Sequence, residues 1–354
     1  MLDRATISSI YGGYWNENLK DFRFMTNPYF PPDAFMDSLT TRVAQLVKSY
    51  PSTNWYVSEL YAGLIDLDKD RLVLANGASE LIAAIIDLYV DHLCVPIPTF
   101  DEYINRARDL GKKVTTVYWE PGSDFDEIAF IDAVRESQAN TALLIRPNNP
   151  TGSLITRKKA IAVMDGLRDI DLIIVDESFL EFCADPEEET VSNLMDDYPN
   201  LIILKSLSKI YGIPGLRLGY VSSTNTDWIS MIRRHLPLWG INALAQYFVE
   251  ELPKYDREFH DACVSVKKAS VVLSGGLETL RGIRAYPTTA NFVLCKLPSD
   301  RSSASLVDEL WDIDRILIND CSNKAGLDQS FIRLASRTSD DNAMLVDVMK
   351  QVVG

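Results

Sequence analysis

The sequence predicts an α/β chain, with a large domain whose mostly parallel central sheet lies between helices and a smaller α/β domain beside it. Three observations predict this. Short apolar runs such as Arg71-Leu72-Val73-Leu74, Thr141 to Ile145, Asp171 to Val175 and Leu201 to Leu204 recur, with apolar-periodic stretches between several of them. That alternation of strand and helix patterns builds a parallel sheet. Polar or glycine-bearing clusters follow directly on these runs, at the strand ends where open α/β sheets bind ligands. With 354 residues, 47% of them hydrophobic, the chain can bury one sizeable core and a second, smaller one.

Taken in order, the first segment, to about Asp37, is rich in aromatics, asparagine and proline and has no period. It reads as an extended arm packed on the body. An amphipathic helix is expected over 32–48, ending at Ser49-Tyr50-Pro51-Ser52, and another near 56–64. A strand at 71–74 leads through Asn76-Gly77-Ala78-Ser79-Glu80 into a helix over 81–90. A strand over 93–97 ends in Pro98-Thr99-Phe100, and further strands are expected at 113–119, 141–145, 171–175 and 201–204. The chain then reads as helical from 227 to about 268, followed by a strand at 290–294, a helix at 303–311, a strand at 331–334 and a closing helix at 340–353. The arm is expected to pack with this late layer. That gives a large domain at 46–244, with 1–45 and 245–354 forming the arm and small domain. Pro186-Glu187-Glu188-Glu189 reads as a solvated acidic loop.

A formal charge of −15 argues against a nucleic-acid partner, whose phosphates need a basic face. A few local arginines can still make a cleft attractive to a small anion. The first residues carry neither a basic nor an apolar targeting region, and the longest apolar stretch, 81–90, is interrupted by Asp87 and too short for a bilayer. A soluble, cytoplasmic protein with no membrane partner is expected. The five cysteines are scattered without a C-x-x-C pair, as buried free thiols would be, and the three histidines are far apart, so no metal site is expected.

The chemistry centres on Ser206-Leu207-Ser208-Lys209, which continues through Gly212, Pro214 and Gly215 to Arg217. A lysine at the mouth of a buried strand is desolvated, its pKa falls, and the neutral amine can attack a carbonyl to form an imine. The plain alternative is a lysine in a surface loop. Serines and an arginine nearby suit a phosphate. Gly77-Ala78-Ser79 stands between strand and helix, where backbone N–H groups bind an anion, or where Ser79 is simply a cap. Asp176 directly follows a buried strand and calls for a cationic partner such as a protonated pyridine, or else makes a structural hydrogen bond. Asn149 lies in a rigid loop between prolines and can donate to a phenolate or form a turn. Phe100 and Tyr103 offer faces for a flat ring or belong to the core. Arg333 on a late strand suits a carboxylate ligand or an internal salt bridge.

Together these motifs, in this order, resemble the fold type I pyridoxal-phosphate enzymes of the class I/II aminotransferases, within them the branch of histidinol-phosphate aminotransferase and threonine-phosphate decarboxylase. N-P-x-N-P-T-G appears as Arg146 to Gly152 and D-E-x-[YF] as Asp176-Glu177-Ser178-Phe179. S-x-[ST]-K followed by G-L-R-x-G spans Ser206 to Gly219, and A-N-F is Ala290-Asn291-Phe292. The resemblance implies that pyridoxal 5'-phosphate is bound as a Schiff base to Lys209, which also shuttles the proton. Asp176 would pair with the pyridine nitrogen, Asn149 with the phenolic oxygen, and Phe100 would stack on the ring. Gly77, Ala78, Ser79, Ser206, Ser208 and Arg217 would hold the phosphate. Tyr50 would reach the cofactor of a neighbouring subunit, which implies a homodimer with shared active sites. Arg333 would take the substrate carboxylate, with Asn27, Tyr29, Asn291 and Arg337 at the substrate pocket.

Several positions depart from the family pattern. Phe179 replaces a tyrosine, Arg146 the first asparagine of its motif, and Met25-Thr26-Asn27-Pro28-Tyr29-Phe30-Pro31 the family's N-x-N-P-x-G-P. Tyr11-Gly12-Gly13 is similar to the His-Gly-Gly of threonine-phosphate decarboxylases with tyrosine for histidine. The expected activity is aminotransfer from an amino acid, glutamate, to an oxo acceptor bearing phosphate or phosphonate. The alternatives are decarboxylation of a phosphorylated amino acid and 2-aminoethylphosphonate-type aminotransfer.

Overall fold

Side chains alternate across a strand, and the apolar runs use both sides. Ile202 and Leu204 pack with Leu81, Ile85, Tyr103 and Ile229 on one face of the main sheet, while Leu201 and Ile203 pack with Phe130, Ala160 and Met164 on the other. This two-sided burial is what a parallel sheet between helices requires. The computed structural model describes residues 2–353. Its main sheet has seven strands in the order Leu72–Asn76, Leu218–Ser222, Leu201–Ser206, Leu172–Asp176, Thr141–Ile145, His92–Ile97 and Lys113–Tyr118. All neighbours are parallel except Leu218–Ser222, which runs antiparallel to both strands beside it.

A second, antiparallel sheet orders Asn319–Asp320, Phe331–Ala335, Phe292–Lys296 and Arg284–Ala285. Its core draws on the helices Asp256–Glu278, Ser303–Asp314 and Ser339–Val353 through Leu273, Leu277, Leu306, Leu310, Leu345 and Met349. The N-terminal segment joins this layer by pairing Lys20 with Ile316 and Asp21 with Leu317.

Four expectations need correction. The arm is not wholly extended: Arg4–Ile10 is helical, started by Asp3, whose carboxylate accepts from Thr6 N–H. The long helical stretch divides into Thr226–His235, Ala243–Glu251 and Asp256–Glu278, because Pro237, Gly240 and Pro253 interrupt it. The strand Leu218–Ser222 was not expected at all; its glycine and tyrosine blur the apolar run. Finally, the acidic loop is not merely solvated. Pro186–Glu189 is a helical turn, and Glu189 reaches the fully buried Arg146 at 2.9 Å. The five cysteines are buried and unpaired.

Arg146 explains its own departure from the motif. Nη1 lies 2.9 Å from Glu177 Oε1, Nη2 reaches Glu189 Oε2, and Nε donates to the Ile155 carbonyl. Glu177 also accepts from Thr190 Oγ1 and Val191 N–H. A buried guanidinium is tolerable only when its charge and donors are met this fully. The network braces the strand ends beside Asp176.

Candidate active site

The carboxyl ends of the parallel strands meet at a cavity whose empty space, including its open mouth, is ≈ 580 Å³. Its polar lining is Ser79, Asn149, Asp176, Ser178, Ser206, Lys209 and Arg217; its apolar wall is Met25, Ile82, Phe100, Ile145 and Phe179, with Ala78 at the helix start. Asn149, Asp176, Ser178, Phe179, Ser206 and Lys209 arrive from strand ends or the turns after them, while Met25 comes from the N-terminal segment, Ile82 from the helix Ala78–Tyr89, and Arg217 from the residue before the strand Leu218–Ser222.

Lys209 sits on the one-turn helix Leu207–Ile210 directly after the strand Leu201–Ser206. Burial, then the nearby positive charges of Arg333 and Arg217, lower its pKa from 10.5 to about 8, against an opposing pull from Asp176. Such an amine is partly neutral near physiological pH and nucleophilic.

Asp176 closes the strand Leu172–Asp176. Tyr103 Oη donates to Oδ2 at 2.9 Å and Ser178 N–H to Oδ1 at 2.9 Å. Burial raises its pKa, and the bonds from Ser178 and Tyr103 partly offset that rise. Among the described residues no cation lies within ion-pair distance of it. At the other end Arg217 adopts φ 59, a left-handed conformation that is rare for a side-chain-bearing residue. It directs the guanidinium against Gly77. Its protein contacts are long: 3.3 Å to the Pro214 carbonyl and 3.5 Å to Ser208 Oγ. It too has no carboxylate partner among the described residues. Gly77 has φ 84, and a Cβ there would press on Arg217, with Cζ at 2.9 Å. The glycine is what lets the arginine lie over the N-terminus of the helix Ala78–Tyr89.

Asn149 is oriented by Arg333, whose Nη1 donates to Oδ1 at 2.6 Å while Nη2 donates to the Arg23 carbonyl at 2.7 Å. That leaves the Asn149 amide N–H₂ as the donor available to the cavity.

The cavity thus has an unpaired carboxylate at one end, an unpaired guanidinium at a helix N-terminus at the other, an amide donor at the side and a low-pKa amine between. Pyridoxal phosphate carries the complementary groups: a pyridinium N–H, a phosphate, a phenolic oxygen and an aldehyde. The residues present fit it.

The structure also separates residues that the sequence grouped together. Ala78, Ser79, Phe100, Ser206 and Arg217 line the cavity. Ser208 is buried and braces Arg217 instead. Tyr103 supports Asp176 and offers no open ring face. Asn27 binds the main chain: its N–H donates to the Lys209 carbonyl at 2.9 Å and its Nδ2 to the Ile210 carbonyl at 3.0 Å. Tyr29 Oη accepts from Ser339 N–H at the start of the closing helix. Arg337 holds Asp341 and the Asp21 carbonyl. None of these three lines the cavity. Asn291 is fully buried, and neither its Oδ1 nor its Nδ2 has a hydrogen-bond partner among the described residues. Tyr50 is 82% exposed and lies on Trp239, 4.9 Å between centroids, away from its own chain's cavity.

The sequence reading missed Ile82, Ile145 and Ser178. Ile82 lies one helical turn after Ala78 and shares its face. Ser178 stands two residues after an aspartate, the spacing of an aspartate-centred turn.

The family model described as aminotransferase class I and II matches residues 25–349. The chain is 34% identical to the CMP-5'-(3-aminopropyl)phosphonate synthase of Streptomyces rubellomurinus, over 98% of this chain and 55% of that protein, so it spans about half the length of this relative. It is 28% identical to the L-serine phosphate decarboxylase of Sulfurospirillum multivorans, over 94% of this chain and 88% of the relative. Among solved structures it resembles the histidinol-phosphate aminotransferase of Clostridium acetobutylicum, with a TM-score of 0.86 and 28% identity over 94% of this chain and 99% of the other.

Proposed function

This chain belongs to the class I and II aminotransferases, a pyridoxal-phosphate-dependent family, and from that membership we propose that it decarboxylates a small α-amino acid ending in a phosphate or phosphonate. The observation that carries the reading is the cavity wall beside Lys209. Met25, Ile82, Phe100, Ile145 and Phe179 give it no charge, and Phe179 supplies no hydroxyl where the family's tyrosine would. A carboxylate becomes neutral CO2 as it leaves, so an apolar wall disfavours the starting charge more than the transition state. The names of the three relatives support the substrate class, since each contains a phosphorus oxyanion.

The chain's residues divide the work. Arg217, Ser79, Ser206 and the backbone N–H groups at Ala78 and Ser79 hold the cofactor phosphate. Asp176, oriented by Tyr103 and Ser178, keeps the pyridine nitrogen protonated. Asn149, held by Arg333, donates to the phenolic oxygen. When bound, pyridoxal phosphate supplies the sink for the electron pair left at Cα. Arg333 does not itself line the cavity and is tied to Asn149 and the Arg23 carbonyl, but it is buried and its charge acts on Lys209, and we assign it the attraction of the substrate carboxylate. Lys209 then delivers a proton to Cα, so the amino acid plus one proton becomes an amine plus CO2. Tyr50, Val47, Leu238 and Trp239 are exposed, and we read them as part of the contact between two copies, through which Tyr50 meets the partner's cofactor.

Transamination is the second reading, favoured by the low-pKa amine of Lys209, which suits proton shuttling. One experiment separates the two. The holoenzyme is incubated in D2O with phosphoserine, phosphothreonine, 2-amino-4-phosphonobutyrate and its cytidylyl ester. Decarboxylation yields CO2 and an amine carrying one deuterium at Cα. A 2-oxo acid with accumulating pyridoxamine phosphate and no CO2 would overturn the proposal in favour of transamination.

A further inference from the structure

Arg23 carries a positive charge into the interior and is only 6% exposed. Among the described residues no carboxylate lies within ion-pair distance of its guanidinium. Nη2 donates to Tyr14 Oη at 2.9 Å, and Tyr14 in turn donates to Asp21 Oδ2 at 2.6 Å. Nε is buried and has no hydrogen-bond partner among the described residues. The guanidinium packs among the rings of Tyr11, Phe24 and Tyr14, with Cζ 4.8, 5.3 and 5.6 Å from their centroids. Arg333 adjoins it, donating from Nη2 to the Arg23 carbonyl at 2.7 Å, and its own Nε is likewise buried and unpartnered among the described residues. No carboxylate pairs with Arg333 there either. Burial lowers the Arg333 pKa and the Arg23 charge adds to the fall, while Cys321, Tyr11 and Asp21 oppose it.

Two buried cations of like charge, each with an open donor, thus stand together. The rings meet part of the Arg23 charge, at about 0.5–2 kcal/mol for a good cation–π contact. A ring face offers nothing to an in-plane N–H such as Nε, whose unmet bond costs about 1–3 kcal/mol. Neither arginine lines the cavity beside Lys209, but both stand just behind its wall. Met25, two residues after Arg23, and Asn149, held by Arg333, are part of that wall. On the outer side, Tyr11 is 63% exposed and its hydroxyl reaches Asn319 Oδ1 only at 3.5 Å, so the cover over Arg23 is loosely held. A ligand with two anionic ends meets both guanidiniums, and a phosphorus dianion offers in-plane acceptors to a guanidinium fork. Resting on the substrate class proposed above, we propose that Arg23 is a specificity-determining residue that binds the phosphorus oxyanion at the far end of the substrate, while Arg333 attracts the carboxylate.

The test reads ligand entry from the cofactor absorbance of the holoenzyme, which responds whether or not the carboxylate is then lost. Phosphoserine is compared with serine, and 2-amino-4-phosphonobutyrate with 2-aminobutyrate. The wild type should bind the phosphorus-bearing member of each pair more tightly, and Arg23→Gln should cut that preference about tenfold or more. Glutamate, which ends in a carboxylate, should lose less. A wild type that prefers phosphorus ligands while Arg23→Gln keeps the preference would overturn the role of Arg23 and leave the substrate class standing. A wild type without the preference would overturn both. An equal loss for glutamate would reassign Arg23 to a carboxylate and overturn the proposal too. If Arg23→Gln does not fold, Arg23→Lys carries the test: a point charge without the fork should lower the preference at least about threefold, and an undiminished preference overturns the proposal.

Discussion

Replacing Lys209 by methionine should stabilise the cofactor-free protein at neutral pH even though it abolishes catalysis. The side chains are similar in volume, and the substitution removes a charge from a largely enclosed site. The fall of the lysine's pKa from 10.5 to about 8 corresponds to about 3 kcal/mol of differential interaction. Asp176 loses a cationic neighbour in the variant, which leaves a net gain of about 1–3 kcal/mol. Below pH 8 the lysine is charged in both folded and unfolded chains, and the full penalty acts on the wild type. Between about 8 and 10.5 the folded chain holds it neutral while the unfolded chain still binds the proton, so wild-type stability rises with pH. The advantage of Lys209→Met should therefore be full at pH 7 and shrink steadily towards pH 10.5. Urea unfolding of both cofactor-free proteins at a series of pH values measures it. A variant less stable than wild type at pH 7, or a gain that does not change with pH, would refute the account of Lys209 as a buried charge.

Gly77→Ala should weaken pyridoxal-phosphate binding about tenfold or more, since the added methyl displaces Arg217 and a charge-assisted hydrogen bond contributes about 1.5–3 kcal/mol; cofactor titration by absorbance reads it, with circular dichroism to show an intact fold. Arg146→Met should destabilise the protein by about 3–5 kcal/mol by leaving Glu177 buried without its partner, and pairing it with Glu177→Gln should restore part of that loss in a denaturant series. Tyr103→Phe should leave stability almost unchanged but weaken cofactor binding, because Asp176 loses a donor that favours its charged form; unchanged affinity would show that Ser178 alone keeps it ionised.

The parts of the site visible in the sequence are those with a local cause. Asp176 and Lys209 stand just past apolar runs, and Gly77 with Ala78 marks the passage from strand to helix, so strand-end logic reaches them without knowing what they face. The contacts that escaped notice are set by partners far away in the chain. Nothing near Tyr29 announces Ser339, and nothing near Arg337 announces the Asp21 carbonyl 316 residues earlier. Arg146 looked like a lapse in a motif because Glu189, its second counter-ion, lay in a loop with no other sign of burial. The strand Leu218–Ser222 was hidden for a different reason. Within the main sheet its pairing is antiparallel on both sides, so it breaks the strand-then-helix rhythm from which the other strands were read.

The short segment from Arg23 to Phe30 has a consequence beyond packing. Its Arg23 carbonyl anchors Arg333 on the small sheet, and its Asn27 holds the carbonyls of Lys209 and Ile210 on the one-turn helix that follows a strand of the large one. Gly212 completes the grip: at φ 62 its missing side chain admits the Asn27 and Phe30 carbonyls. One stretch of eight consecutive positions, 23–30, thus serves as a common yoke for the turn that carries Lys209 and for Arg333. A substitution in the yoke that shifts one should also shift the other. Swapping the whole segment from a relative, rather than single residues, is the change most able to move specificity while keeping the two groups in step.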